Sequence, residues 1–338
     1  CKSPPLRFAQ AICPQHMTPL LQFKPIYQER VWGGRGLESF LGRRLSGTQP
    51  IGESWELVDR VEAQSLVEGG PWAGRSLREL ITQHAEAIMG PGWAKDRAFP
   101  ILVKWLDCRE RLSLQVHPPA SIAGKLGGES KTENWYIGHA APGAAVLAGL
   151  KPGVDAAAFR AALQNGSAEN LVHRLPTRAG DSLLIHSGVM HAIDGGNIIL
   201  EIQQNSDTTY RVYDWGRLGL DGKPRAMHIE QSMASLEANT AATPQLVRDD
   251  GKTTVLAECS EFRITRHRLA KGEAIHFAAG EQCRIISVAG GCLREGETTL
   301  RHGDNALMPY SGRFTFSAVE EAQVLITDRF SSLEKAKV

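Results

Sequence analysis

Glycine and proline interrupt this chain too often for it to be built mainly of helices. Between its 34 Gly and 17 Pro lie short segments of alternating polarity. Short alternating runs bounded by turn residues predict strands, and many such strands of even spacing predict a sandwich or closed barrel. Strands are expected at Phe99–Leu106, Arg111–His117, Lys131–Ile137, Asp181–His186, Asn197–Gln203 and Thr209–Tyr213. Helices are few. Ser76–Met89 has helical spacing at Leu77, Leu80, Ile81 and Ile88, and shorter helical stretches fall at Val154–Gln164, Glu169–Leu175 and Met227–Ala238.

A polar, Ala/Thr-rich stretch at Glu237–Asp250 reads as a linker, and a second β-rich block, Thr254–Phe330, follows it. That block contains Gly303-Asp304-Asn305-Ala306-Leu307-Met308-Pro309, similar to Gly180-Asp181-Ser182-Leu183-Leu184-Ile185-His186. The sequence therefore predicts an all-β protein of two jelly rolls, the second a degenerate repeat of the first. The expected division is a disordered extension over 1–16, a catalytic unit over 17–240 and a second roll over 250–338. No counterpart of His191 follows in the second copy, so metal is expected in the first roll only.

Composition removes some function classes. Lys+Arg number 38 and Asp+Glu 37, which gives no bulk charge for nucleic acid or a membrane surface. An anionic ligand must then be held by a local basic cluster. No apolar run reaches the length of about 18 residues that a membrane-spanning helix needs. Six cysteines are scattered without a CxxC pair, which predicts a reducing, cytoplasmic setting.

The chemistry is concentrated in four segments. In the strand around Arg111–Pro118, alternation turns Leu112, Leu114 and Val116 to one face and Ser113, Gln115 and His117 to the other. Taken alone this is also the pattern of a strand with one wet face. Lys131, Glu133 and Trp135 repeat the geometry, though Lys-x-Glu is common on solvated strands. A strand ending at His186 turns at Gly188 and presents His191. His117, Glu133 and His191 form a two-His, one-carboxylate set of the kind that takes Zn²⁺ or Fe²⁺, and Gln115 adds a neutral oxygen. In the fourth segment Glu201 shares a face with Ile199 and Gln203, and Asp207 and Arg211 follow. Arg211 beside Ser113 and Lys131 would make an anion pocket suited to phosphate. An Asp207–Arg211 ion pair is the plainer reading. His139, His173, His186 and His228 read as ordinary core or surface histidines.

Together these segments resemble the type I phosphomannose isomerases, which are metal-binding cupins. The likeness lies in Gln115-Val116-His117-Pro118, Lys131-Thr132-Glu133-x-Trp135 and Asp207-x-x-x-Arg211-x-x-Asp214. It extends to Val31-Trp32-Gly33-Gly34 and Gly52-Glu53-Ser54-Trp55-Glu56. The resemblance runs from about Leu21 to Gly216 and points to the compact bacterial subgroup. It implies one Zn²⁺ per chain on Gln115, His117, Glu133 and His191, with phosphate contacts from Ser113, Lys131 and Arg211. It also implies proton transfer among Lys104, Glu201 and Asp207, with Arg211 stabilising the intermediate. The implied reaction interconverts mannose 6-phosphate and fructose 6-phosphate through a cis-enediol. The alternatives for the same ligand set are an Fe(II) cupin dioxygenase and a non-catalytic sugar-binding cupin.

Overall fold

The computed structural model describes residues 18–330, so the extension expected over 1–16 lies outside the described residues. The chain is mostly β, arranged as four antiparallel sheets in two face-to-face pairs. In the first pair, a six-stranded sheet runs in the order Ile26–Gly34, Ile51–Leu57, Ile101–Cys108, Asn197–Gln204, Glu133–Ala140, Ser182–Ile185. Its partner is five-stranded: Tyr210–Tyr213, Leu114–Val116, His191–Ile193, Ala145–Leu150, Val172–Pro176. Leu106, Ile137, Ile185 and Ile199 of the first sheet pack with Val146, Ala148 and Ile193 of the second.

The six-stranded sheet is buried on both faces, and strand alternation decides what each face does. Along Ile101–Cys108, Ile101, Val103 and Trp105 join the largest apolar cluster, while Lys104 and Leu106 face the five-stranded sheet. Along Asn197–Gln204, Ile198, Leu200 and Ile202 take the outer face, and Ile199 and Glu201 the inner. The outer face is covered by the helix Leu77–Met89 through Leu80, Ile81 and Ile88. That helix begins in a capping box, with Glu79 N–H donating to Ser76 Oγ and Ser76 N–H donating to a Glu79 carboxylate oxygen.

The second pair combines the strands Leu21–Gln22, Asn305–Met308, Arg284–Gly290, Ala322–Asp328, Arg263–Leu269 and Thr253–Glu258 with a four-stranded sheet. The latter runs Ala274–Phe277, Phe314–Ala318, Cys292–Glu295, Thr298–Arg301. The resemblance between Gly180–His186 and Gly303–Pro309 has a structural counterpart. Gly180 (φ 91°) and Gly303 (φ 93°) both occupy the left-handed region that favours glycine. Each is followed by an aspartate that accepts a backbone N–H, Asp181 from Arg178 and Asp304 from Arg301, and then by a buried strand.

Two local expectations change, and one long-range pairing is added. Glu169–Leu175 is not helical: a 3₁₀ turn at Ala168–Leu171 gives way to the strand Val172–Pro176, which pairs with Ala145–Leu150. Cross-strand pairing there overrides helical spacing. The stretch 237–250 is fastened rather than loose, because Val247 and Ser182 exchange backbone hydrogen bonds of 2.8 and 3.1 Å. The N-terminal strand Leu21–Gln22 pairs with Leu307 and Ala306, far along the chain. No helix among the described residues is long and apolar enough to cross a membrane.

One apolar cluster joins the two sheet pairs, containing Phe99, Trp105 and Leu200 together with Ile285, Leu307, Leu325 and Phe330. Phe330 is fully buried, edge-on to Phe99 with ring centroids 5.4 Å apart. Phe330→Ala is expected to lower stability by about 3–5 kcal/mol, the usual loss for a buried phenylalanine. Denaturant unfolding followed by tryptophan fluorescence and by circular dichroism should move together. An early separate transition would show that the shared core does not couple the two halves.

Candidate active site

The inner faces of the first sheet pair converge on His117, Glu133 and His191. His117 follows the strand Leu114–Val116, and His191 opens the next strand of the same sheet, opposite Gln115. Glu133 opens its strand in the facing sheet. All three side chains are fully buried, and one ligand atom from each lies within 4.8 Å of the others. His117 Nε2 is 3.4 Å from Glu133 Oε2, and His191 Nε2 is 3.4 Å from Glu133 Oε1.

Both imidazoles are fixed from behind. His117 Nδ1 lies 2.7 Å from the Thr208 carbonyl and His191 Nδ1 lies 2.8 Å from the Val189 carbonyl. A carbonyl only accepts, so each Nδ1 carries the proton and each Nε2 presents a lone pair to the common centre. His117 Nε2 and Glu133 Oε1 have no hydrogen-bond partner there. Orphaned buried acceptors are costly. Two lone-pair nitrogens and a carboxylate, backed by carbonyls, fit a borderline divalent cation.

Gln115 bridges this centre to the rest of the site. Its Nε2 is 3.3 Å from His191 Nε2, and its Oε1 accepts from Ser113 Oγ at 3.1 Å. Arg211 Nε donates to Ser113 Oγ at 3.3 Å. A polar line thus leads from His191 to Arg211. Gln115 and Lys131 line a cavity of about 390 Å³, together with Ser113, Lys104, Glu201, Asp207 and Arg211.

The proton-transfer candidates come together on one wall. Lys104 and Glu201 are directly paired across neighbouring strands, with Trp55 beyond Lys104 and Trp135 beyond Glu201. Lys104 Nζ stands 3.6 Å from Glu53, 3.8 Å from Glu201 and 3.5 Å from Asp207. The Trp135 indole donates to Glu201 Oε1 at 3.0 Å. Burial pushes the Glu201 carboxyl up to about 7, with Glu133 and Glu53 adding to the rise against Lys131 and Lys104. Glu53 is also buried, but Lys104, Arg30 and the Trp55 indole hold it at about 2.

Lys131 lines the same cavity as Ser113 and Arg211, but its ammonium pairs with carboxylates. Its Nζ is 2.7 Å from Glu133 Oε2 and 3.9 Å from Glu201 Oε2. Burial alone would raise Glu133, yet the Lys131 ammonium beside it holds its carboxyl well below the usual carboxylate range. Arg211 does not pair with Asp207. It donates to the Ala226 carbonyl at 2.9 Å, and its backbone N–H donates to His228 Nδ1 at 3.2 Å. His228, read from sequence as ordinary, therefore lines the cavity. Sequence reasoning also assigned nothing to Arg30, Glu53 and Arg225, which share that lining. Glu53 was within reach, since it alternates with Trp55 on a strand. Arg225 sits in a loop with no periodic signal.

An enzyme of the cupin kind is what such paired β-sheets with this buried polar centre define. The comparisons with known proteins agree. The family model described as the type I phosphomannose isomerase catalytic domain matches residues 20–148. The mannose-6-phosphate isomerase ManA of Bacillus subtilis (strain 168) is 33% identical over 318 residues, 90% of this chain and 98% of that protein. The mannose-6-phosphate isomerase of Streptococcus mutans serotype c is 34% identical over 287 residues, covering 83% and 89% of the two chains. A crystal structure of mannose 6-phosphate isomerase from Bacillus subtilis superposes with a TM-score of 0.81 at 28% identity, covering 92% of this chain and all of that one. The chain belongs to the type I phosphomannose isomerases.

Burial brings His191 down to about 3 and lowers His117 as well. Desolvation disfavours the charged ring, so His191 remains neutral well into acid and His117 takes a proton below the ordinary histidine range. In the metal-free protein, nitrogen NMR of the imidazoles should show the His191 ring uncharged from pH 8 to pH 5 and the His117 ring titrating below the ordinary histidine value. Protonation of either near pH 6.5 would mean that the centre is open to water.

Proposed function

We propose that this chain is a zinc-dependent aldose–ketose isomerase that interconverts mannose 6-phosphate and fructose 6-phosphate through a cis-enediol. The observation that carries this reading is the cavity's polarity: the buried His117–Glu133–His191 cluster lies behind Gln115 and Lys131 at one end, and Arg211 and Ser113 line the other. His117, Glu133 and His191 would hold one Zn²⁺ per chain, with Gln115 as a fourth ligand once its amide turns over to bring Oε1, now facing Ser113, to the place of Nε2 beside His191. Zn²⁺, when bound, supplies Lewis-acid polarisation of the sugar carbonyl.

The chain's own residues divide the remaining work. Ser113 and Arg211 anchor the phosphate, and this remote binding fixes the reacting carbons beside the Lys104–Glu201 wall. Glu201 removes the proton from C2 of the aldose and returns it to C1, as a general base then acid. Its position beside Lys104, Lys131 and Trp135 favours it over the alternatives, because it is fixed by the indole and desolvated. The hydroxyl proton passes between O2 and O1 with Lys104 and Asp207 as the nearest relay. Arg211 also offsets the negative charge of the enediolate. We place Lys131 at the metal end rather than the phosphate end, where its ammonium keeps Glu133 ionised. No comparable cradle would serve dioxygen chemistry, and a sensor would not need a desolvated carboxylate set between two lysines.

The catalytic unit is read as 17–240, with 250–338 as a second roll that buttresses it and receives Leu21–Gln22 as an edge strand. Free thiols at Cys108, Cys259, Cys283 and Cys292 suit a reducing, cytoplasmic setting.

Glu201→Gln keeps the acceptor for the Trp135 indole and removes the base. It should lower kcat by about 10²-fold or more with metal content unchanged, as general-base losses do. A variant that keeps wild-type turnover, or that exchanges the C2 proton with solvent at the wild-type rate, would move the base to Lys104 or Asp207. In the wild type, the ionised base accumulates as pH rises through about 7, so kcat should climb with pH and level off above that value. His117→Ala should abolish metal binding, measured by elemental analysis after dialysis, together with activity.

A further inference from the structure

The loop from Asp214 to His228 is tied to the site at three points. Arg211 Nη1 donates to the Ala226 carbonyl, His228 N–H donates to the Arg211 carbonyl at 2.7 Å, and Arg211 N–H donates to His228 Nδ1. This lacing brings Arg225 to the cavity wall beside Arg211, Ser113 and Thr209. Asp214 grips Arg225 along one edge only. Its two carboxylate oxygens take Nε at 2.7 Å and Nη2 at 2.5 Å. The Nη1 edge makes neither of these bonds. Arg211 is used in the same partial way, its Nε and Nη1 engaged and its Nη2 in neither bond.

Charge at this end does not balance. Asp214 also accepts from Arg217 Nη2 at 2.7 Å, so one carboxylate faces Arg211, Arg217 and Arg225. Burial, and then the nearby charge of Arg225, depress the basicity of Arg211 despite Asp214. Two guanidinium groups that repel each other across a cavity wall are stabilised by a shared anion, and planar donor forks match the oxygens of a phosphate.

We infer that Arg225 is a second phosphate-binding arginine, which forms with Arg211 and Ser113 a clamp for the phosphate of the substrate, and that Asp214 is the positioning residue that aims it. This rests on the sugar-phosphate reading above and adds a determinant of selectivity for phosphorylated over free sugar. Arg217 serves to complete the charge on Asp214 and points its other nitrogen to the Arg111 carbonyl, away from the clamp.

The test uses the full metal-loaded chain and inorganic phosphate as probe, with binding measured by calorimetry and as competitive inhibition of isomerisation. Arg225→Gln should weaken phosphate binding tenfold or more and raise KM for mannose 6-phosphate by a similar factor, with a smaller change in kcat. Arg225→Lys keeps charge but loses the two-point grip of Asp214, so it should fall between wild type and Gln. Asp214→Asn should weaken phosphate in the same direction. Wild-type phosphate affinity in both Arg225 variants, or no phosphate binding by the wild type, would overturn the clamp. Weakened phosphate binding in a chain that does not turn over mannose 6-phosphate would sustain the clamp and sink the isomerase reading instead.

Discussion

A carboxylate buried between two sheets is stable only if positive charge or a strong donor reaches it, and Glu133 sets that requirement for the first sheet pair. Its strand lies in one sheet and both imidazoles come from the other, so any compensation beyond its own segment must cross the interior. Lys131 supplies part of it at 2.7 Å. The histidines cannot supply the rest as cations, because burial keeps them neutral and their Nδ1 protons are engaged with backbone carbonyls. What remains is a centre bounded by lone pairs, a demand for a cation rather than a hydrogen bond.

The same logic extends outward along the wall. Lys104 sits among Glu53, Glu201 and Asp207, and these carboxylates do not share it equally. Glu53 also has Arg30 and the Trp55 indole, and stays ionised. Glu201 has one indole and more distant ammonium groups, and is left near neutrality. Environments that push neighbouring carboxylates apart in this way separate a permanent counter-ion from a group free to exchange protons.

Much of this was legible in the sequence because a strand has a period of two. Alternation alone placed Ser113, Gln115 and His117 on one face and Lys131, Glu133 and Trp135 on another, and Glu201 with Ile199. Cross-strand register is not written locally, so the row Trp55–Lys104–Glu201–Trp135 could not be read from any one segment. Arg225 and His228 enter the site from a loop, held by hydrogen bonds to Arg211 that follow no periodicity. Val172–Pro176 was misread for a related reason: its partner, Ala145–Leu150, is what makes it a strand.

The edge strand Leu21–Gln22 has a consequence for how the molecule comes into being. Its hydrogen-bonding partners are Ala306 and Leu307, so one of the first described segments to leave the ribosome must wait for nearly the last. The apolar cluster that backs the cavity's wall has the same dependence, since Phe99 and Trp105 pack with Leu325 and Phe330. Contacts of such long sequence separation close slowly, because the loop entropy is lost before the contact forms. Until synthesis reaches Phe330, the growing chain therefore exposes the part of the outer face of its six-stranded sheet that the helix Leu77–Met89 does not cover. During that interval it is at its most vulnerable to association with its neighbours.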